Sequence, residues 1–243
     1  MKLIPLGDIH LGDPNCDVER LKGTIEYIRK SKDLVVLGMG DYINAALKSS
    51  VSDVYGSRLT PEEEYEEIIE LLEPIKDKFL GLLTGNHEYR IQKDTSIDMT
   101  KMMASELDVP YFGWGCFLKF SVGVNPSHHG RNPSYTIFAT HGSSGATTES
   151  GRANAMKRLM FSNSADLFLM GHVHHMSPLI VSPYRYYDTR NKCLKEGKRY
   201  GVFTGHFLNY TGSYAEMKGY SPGKAGVPKI KLFGDRWDIH VSE

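Results

Sequence analysis

The sequence predicts an α/β fold in which two mixed sheets are stacked and helices lie outside them. Three observations predict it. The first third of the chain alternates apolar runs with amphipathic stretches in the order β-α-β-α-β. The remainder is richer in short β-prone runs than in helical ones, which supplies strands for a second sheet. Five polar motifs, each joining Asp, Asn or His to a Gly, directly follow apolar runs. The carboxyl ends of strands are where α/β folds place their ligands.

In chain order, residues 3–6 read as a buried strand. Residues 17–30 read as a helix, because Val18, Leu21, Ile25 and Ile28 recur at steps of three and four. Residues 34–37 form the next strand, and their unbroken apolar character predicts burial on both faces. Thr60-Pro61-Glu62-Glu63 is a capping box with Pro at the first helical position. The helix it opens runs to residue 76, with Tyr65, Ile68, Leu72 and Ile75 on one face. Its acidic run, 62–67, combines favourable first-turn charge with a solvated face. Residues 79–83 are a third strand, and further helices are expected at 97–107 and 152–161. Later strands are expected at 117–122, 135–139, 167–170, 179–181, 200–204, 230–233 and 237–240. The Gly-rich stretch 212–228 reads as a long loop of the kind that is usually functional.

The 243 residues fit a single domain spanning 1–243, and 40% hydrophobic content supports a sizeable core. Twenty-nine basic and 29 acidic residues leave no net charge, so no global attraction to nucleic acid is expected. A local basic patch, or phosphate binding through metals, remains compatible with that balance. Cys16, Cys116 and Cys193 are odd in number and far apart, which suits reduced, mostly buried thiols in a cytoplasmic protein. The residues before the first motif are too few for a signal-peptide core, and no apolar stretch approaches the roughly 18 residues of a membrane helix.

The five motifs are Gly7-Asp8-Ile9-His10, Gly40-Asp41, Gly85-Asn86-His87-Glu88, His141-Gly142 and Gly171-His172-Val173-His174. Carboxylate oxygen, amide oxygen and imidazole nitrogen are the donors of a two-metal hydrolytic centre. The set exceeds one ion's shell, and two ions sharing a carboxylate would use all of it. Asp41 is the natural bridge, since its two oxygens can touch both ions. The order D-x-H, GD, GNHE, H-G, GHVH resembles that of the calcineurin-like metallophosphoesterases. The resemblance implies a four-layer αββα sandwich, in agreement with the pattern of elements.

By that resemblance, Asp8, His10 and His174 complete one ion's shell, and Asn86, His141 and His172 the other. Were the GHVH segment extended, its alternation would point His172 and His174 the same way, toward ions about 3.5–4 Å apart. The resemblance makes His87 catalytic rather than ligating, reaching over the metals to substrate oxygen with a pKa near working pH. Protein phosphatases of the family carry GDxxDRG, whereas this chain reads Gly40-Asp41-Tyr42-Ile43-Asn44-Ala45-Ala46. Asn44 is expected to orient His87 through its amide oxygen, without charge assistance.

Other polar residues carry weaker signals. His128 and His129 read as solvated loop residues, and His175 as a neighbour of the ligands. His206 is a candidate to overhang the pocket, and Arg90 and Arg152 are candidate partners for substrate charge. In the 212–228 loop, Tyr214, Lys218, Tyr220 and Lys224 alternate aromatic and basic character, as a nucleic-acid strand would require. The expected activity is phosphoester hydrolysis with two divalent ions and a bridging water attacking in line. Mn²⁺ is favoured because no thiolate is present, with Fe, Zn²⁺ and Ni²⁺ also compatible. A phosphodiesterase acting on a phosphoester substrate such as nucleic acid is the first expectation. A phosphomonoesterase or nucleotide hydrolase is the alternative, and a non-catalytic metal-binding scaffold is the reading of another class.

Overall fold

A computed structural model of the chain describes residues 1–50, 54–123, 132–176 and 180–242. His128, His129 and Leu179 lie outside the described residues. The first sheet holds β1 (Lys2–Leu6), β2 (Leu34–Gly38), β3 (Phe79–Leu83), β4 (Tyr111–Gly113), β10 (Lys229–Leu232) and β11 (Ile239–Ser242), in the order β11-β10-β1-β2-β3-β4. β1 to β4 run parallel, while β1–β10 and β10–β11 are antiparallel. The second sheet holds β5 (Gly115–Ser121), β6 (Ser134–Thr140), β7 (Leu167–Met170), β8 (Ile180–Asp188) and β9 (Cys193–Phe203), in the order β5-β6-β7-β9-β8. Its core, β6-β7-β9, is parallel.

Alternation along each strand builds the layers. Leu3, Leu37 and Leu83 meet Ile137, Leu167, Leu169 and Val202 between the two sheets. Ile4, Leu6, Val36 and Leu82 point outward, against α1 (Val18–Lys30), α2 (Pro61–Leu72) and α4 (Met99–Glu106). On the far side, Phe168, Met170 and Phe203 pack with Ala155, Met156 and Met160 of α5 (Glu149–Ser162). The result is an αββα sandwich. Strands buried on both faces have no polar side to show, which explains their continuous apolar runs.

Several elements differ from the sequence reading. The capping box at Thr60 forms, with both reciprocal bonds. The helix ends at Leu72, however, and continues to Lys78 as a 3₁₀ helix. Pro74 has no N–H to give the α-helical ladder, so the tighter turn takes over. The GNHE motif itself opens a helix, α3 (Asn86–Thr95), which hydrophobic periodicity did not reveal. β8 and β9 are much longer than expected and form a two-stranded ribbon. Its pairing runs from Ile180↔Gly201 to Asp188↔Cys193, beyond the residues paired with β7. The 212–228 stretch contains one short helix, α6 (Tyr214–Met217). Of the cysteines only Cys16 is buried, and Cys193 is exposed on the ribbon.

Candidate metal centre

All five motifs converge where the parallel strands of both sheets end. Asp8 to His10 follow β1, Asp41 follows β2, Asn86 and His87 open α3 after β3, His141 follows β6, and His172 to His174 follow β7. Five of these residues have left-handed backbones: Asp8 (φ 48), His10 (φ 54), Asp41 (φ 53), His172 (φ 67) and His174 (φ 45). Non-glycine residues adopt this region at a cost of roughly 1–2 kcal/mol each, and clusters of them mark functional sites. His172 and His174 are therefore not aimed by strand alternation, as expected, but by two left-handed turns of the chain.

Two groups of donors share Asp41. Ligand atoms of Asp8, His10, Asp41 and His174 all lie within 4.8 Å of one another, as do those of Asp41, His141 and His172. Asn86 joins the second group, its Oδ1 lying 2.6 Å from His172 Nδ1 and 3.0 Å from His141 Nε2. In the first group His10 Nε2 and His174 Nε2 are 2.8 Å apart. Asp41 Oδ2 is buried without a hydrogen bond, 3.2 Å from His141 Nε2 and 3.8 Å from the Nε2 of both His10 and His87. The seven expected ligands are thus brought together in one place.

Main-chain groups fix the carboxylates. His87 N donates to Asp41 Oδ1 at 2.8 Å, and His172 N donates to both oxygens of Asp8 at 3.0 Å. Gly85 makes the first approach possible, since a Cβ there would meet Asp41 Oδ1 at 2.1 Å. Glu88 is an important residue that the sequence reading passed over. It is buried and accepts from the main-chain nitrogens of Asp41, Tyr42, Ile43 and Gly85 at 2.7–3.2 Å. It therefore holds the loop carrying Asp41 against α3. The signal was present in GNHE, whose Glu occupies the position that bonds back to the helix N-cap.

The electrostatics suit cations. Burial would lower the His141 imidazole, but Asp41 and Asp8 raise it to about 10. Its Nδ1–H donates to Met39 O at 2.8 Å, which directs Nε2 into the site. Burial raises Asp41, yet His141, His87 and His10 hold it well below the usual carboxylate range. Burial and the neighbouring imidazoles lower His10, and burial with His206 lowers His174 to about 3. Neutral His10 and His174 and the ionised Asp41 are in the states that a divalent metal requires, whereas His141 and Asp8, whose carboxyl burial raises to about 8, would give up protons on binding. The four imidazoles of His10, His141, His172 and His174 gather in two groups that share Asp41, whose Oδ2 is orphaned, so the residues present fit the ions their motifs imply.

The other candidates take definite places. His87 lies beside the centre, and its Nδ1–H donates to the main-chain carbonyl of Asn44 at 2.6 Å. The expected contact through the Asn44 amide is replaced by one that any residue at 44 would offer. Burial lowers His87 below its ordinary value, so the ring is neutral at neutral pH rather than poised there. Arg90 Nη2 lies 3.1 Å from His87 Nε2. His206 is buried and stacks on His174 with ring centroids 5.7 Å apart. The 212–228 loop closes over His206 through paired main-chain bonds with Gly226.

A two-sheet sandwich with Asp and His donors at its strand ends defines a metal-binding α/β protein. The chain belongs to the calcineurin-like phosphoesterase family, whose sequence pattern matches residues 1–176. Similar solved structures include a single mutant of Vps29 from Entamoeba histolytica, 11% identical over 100% of this chain and 98% of that one, with a TM-score of 0.47. Wild-type Vps29 of the same organism, complexed with Zn²⁺, is 11% identical over 99% and 91%, with a TM-score of 0.46. A predicted phosphoesterase from Streptococcus pneumoniae is 12% identical over 99% and 87%, with a TM-score of 0.40. A comparison with curated proteins finds no match. Among the described residues no helix is long and apolar enough to cross a membrane.

Proposed function

We propose that this chain is a phosphodiesterase with a dinuclear metal centre, acting as one catalytic domain over residues 1–243. The observation that carries the reading is Asp41 Oδ2, a buried carboxylate oxygen without a hydrogen bond, flanked by two separate groups of donors. Asp8, His10 and His174 would hold one ion, Asn86, His141 and His172 the other, and Asp41 both. Divalent ions bound there supply charge for the phosphoryl oxygens and acidify water, and hard oxygen and imidazole donors without thiolate favour Mn²⁺. His87, anchored by its Nδ1–H on Asn44 O, leaves Nε2 an acceptor that Arg90 Nη2 meets at 3.1 Å; with a substrate oxygen in that place it would hold or pass a proton. Glu88 keeps the Asp41 loop from shifting, and His206 backs the His174 ring.

The diester preference rests on position 44, where an Asn stands in place of the acidic partner of the protein-phosphatase motif. A phosphomonoester reading is favoured by one observation, the Arg90 guanidinium beside His87, which suits a dianion. The deciding experiment loads the protein with Mn²⁺, measures metal content, and compares kcat/KM on bis(p-nitrophenyl) phosphate, p-nitrophenyl phosphate and single-stranded DNA. Two ions per chain and faster turnover of the diesters are expected. A clear preference for the monoester would overturn the reading.

A further inference from the structure

We infer that Arg152 forms a second phosphate-binding subsite beside the metal centre, for the phosphate next to the scissile one in the substrate. This rests on the diesterase reading. Arg152 lies near the start of α5 and is 5% exposed. Its Nη1 donates to Thr147 O at 3.1 Å, in the loop that leads away from His141. Its Nε and Nη2 have no hydrogen-bond partner among the described residues. A buried, uncompensated guanidinium is strongly unfavourable, and water alone does not neutralise it. The group therefore calls for an anion. Met156, one turn further along α5, belongs to the apolar cluster against which Val173, between the candidate ligands His172 and His174, packs. Glu149, three residues earlier on α5, accepts no hydrogen bond from Arg152 Nε or Nη2 among the described residues. The planar fork of an arginine matches phosphate oxygens in pairs. A substrate whose scissile diester sits at the metals brings its own next phosphate into this neighbourhood, whether along a nucleic-acid strand or along a polyphosphate chain.

The test begins with metal-free protein, kept in chelator, with inorganic phosphate and pyrophosphate as probes. Calorimetry and thermal unfolding at fixed ionic strength should show that both anions bind and raise Tm in the wild type. In Arg152→Gln that rise should vanish, while Tm without anion should equal or exceed the wild-type value, because a buried charge has been removed. Arg152→Lys should keep part of the rise. An equal anion-induced rise in Arg152→Gln would overturn the subsite. So would a lower anion-free Tm in both variants, which would mark Arg152 as structural. With Mn²⁺, the wild type should prefer pTpT to TpT by about tenfold or more, the worth of a charged hydrogen bond, and Arg152→Gln should bring that ratio near one. A matching preference for a dinucleoside tetraphosphate, instead of pTpT, would assign the second phosphate to a polyphosphate chain. If neither dinucleotide is cleaved, the diesterase reading fails, and metal-free anion binding still decides the subsite.

Discussion

Glu64 accepts from Ala45 N at 2.8 Å, just beyond the segment that carries Asp41 and Asn44. Burial pushes its carboxyl up to about 7, against 4.5 for an ordinary glutamate. Between those values folding takes up a proton. The stability linked to Glu64 is therefore full below pH 4.5 and is lost as pH rises through 7, by about 3 kcal/mol. Glu64→Gln has nothing to ionise, so its urea-unfolding stability relative to wild type should rise from pH 5 to pH 8. At the site, His87→Ala should keep its metals and lose about 10²–10⁴-fold in kcat. Asn44→Ala should stay within a few-fold of wild type, because the main-chain carbonyl makes the contact. Steady-state kinetics on one diester would separate the two. Residue identity at the site was legible, since Asp8, His10, Asp41, Asn86, His141, His172 and His174 all lie within two residues of a glycine or of another site residue in short motifs. The left-handed turns that aim them were not, because φ depends on what surrounds the chain.

At the level of elements, caps and prolines decide boundaries that periodicity leaves open. Thr60 accepts from Glu63 N, while the Glu63 side chain accepts from Thr60 N at 2.8 Å. Thr60→Ala should cost about 1 kcal/mol in chemical unfolding. Ser96 closes α3 in the left-handed region (φ 64), where a β-carbon is strained. Ser96→Gly should add about 0.5–1 kcal/mol, the relieved strain less the extra freedom of the unfolded glycine. α1, β2, β3 and β7 were legible from apolar spacing, since each buries a continuous stripe or run. α3 was not, because its residues are mostly polar and its place is set by Glu88 bonding beneath the Asp41 loop. The β8–β9 ribbon was legible only near its base. Its outer pairs alternate without a buried face, so they carry little hydrophobic signal.

For the molecule as a whole, the candidate ligands come from loops of both sheets, so metal binding should couple to global stability. Anything that binds only the folded form adds about 2.7 kcal/mol at a hundredfold excess over Kd. Mn²⁺ should raise Tm and chelator should lower it, and in Asp41→Ala both responses should largely disappear. Scanning calorimetry with and without Mn²⁺ checks this, and an undiminished response in Asp41→Ala would remove Asp41 from the shared position. The zero net charge was legible but uninformative here, because the electrostatics that matter are buried groups such as Asp41, His141 and Arg152. The pairing of β1 with β10 has a separate consequence, for the order in which the protein can assemble. β1 lies inside its sheet, yet Lys2 pairs with Lys231. At about 5–20 residues per second on the ribosome, β1 waits at least about ten seconds for that partner. Until then one of its edges stays open, a template for intermolecular pairing that only the arrival of β10 removes.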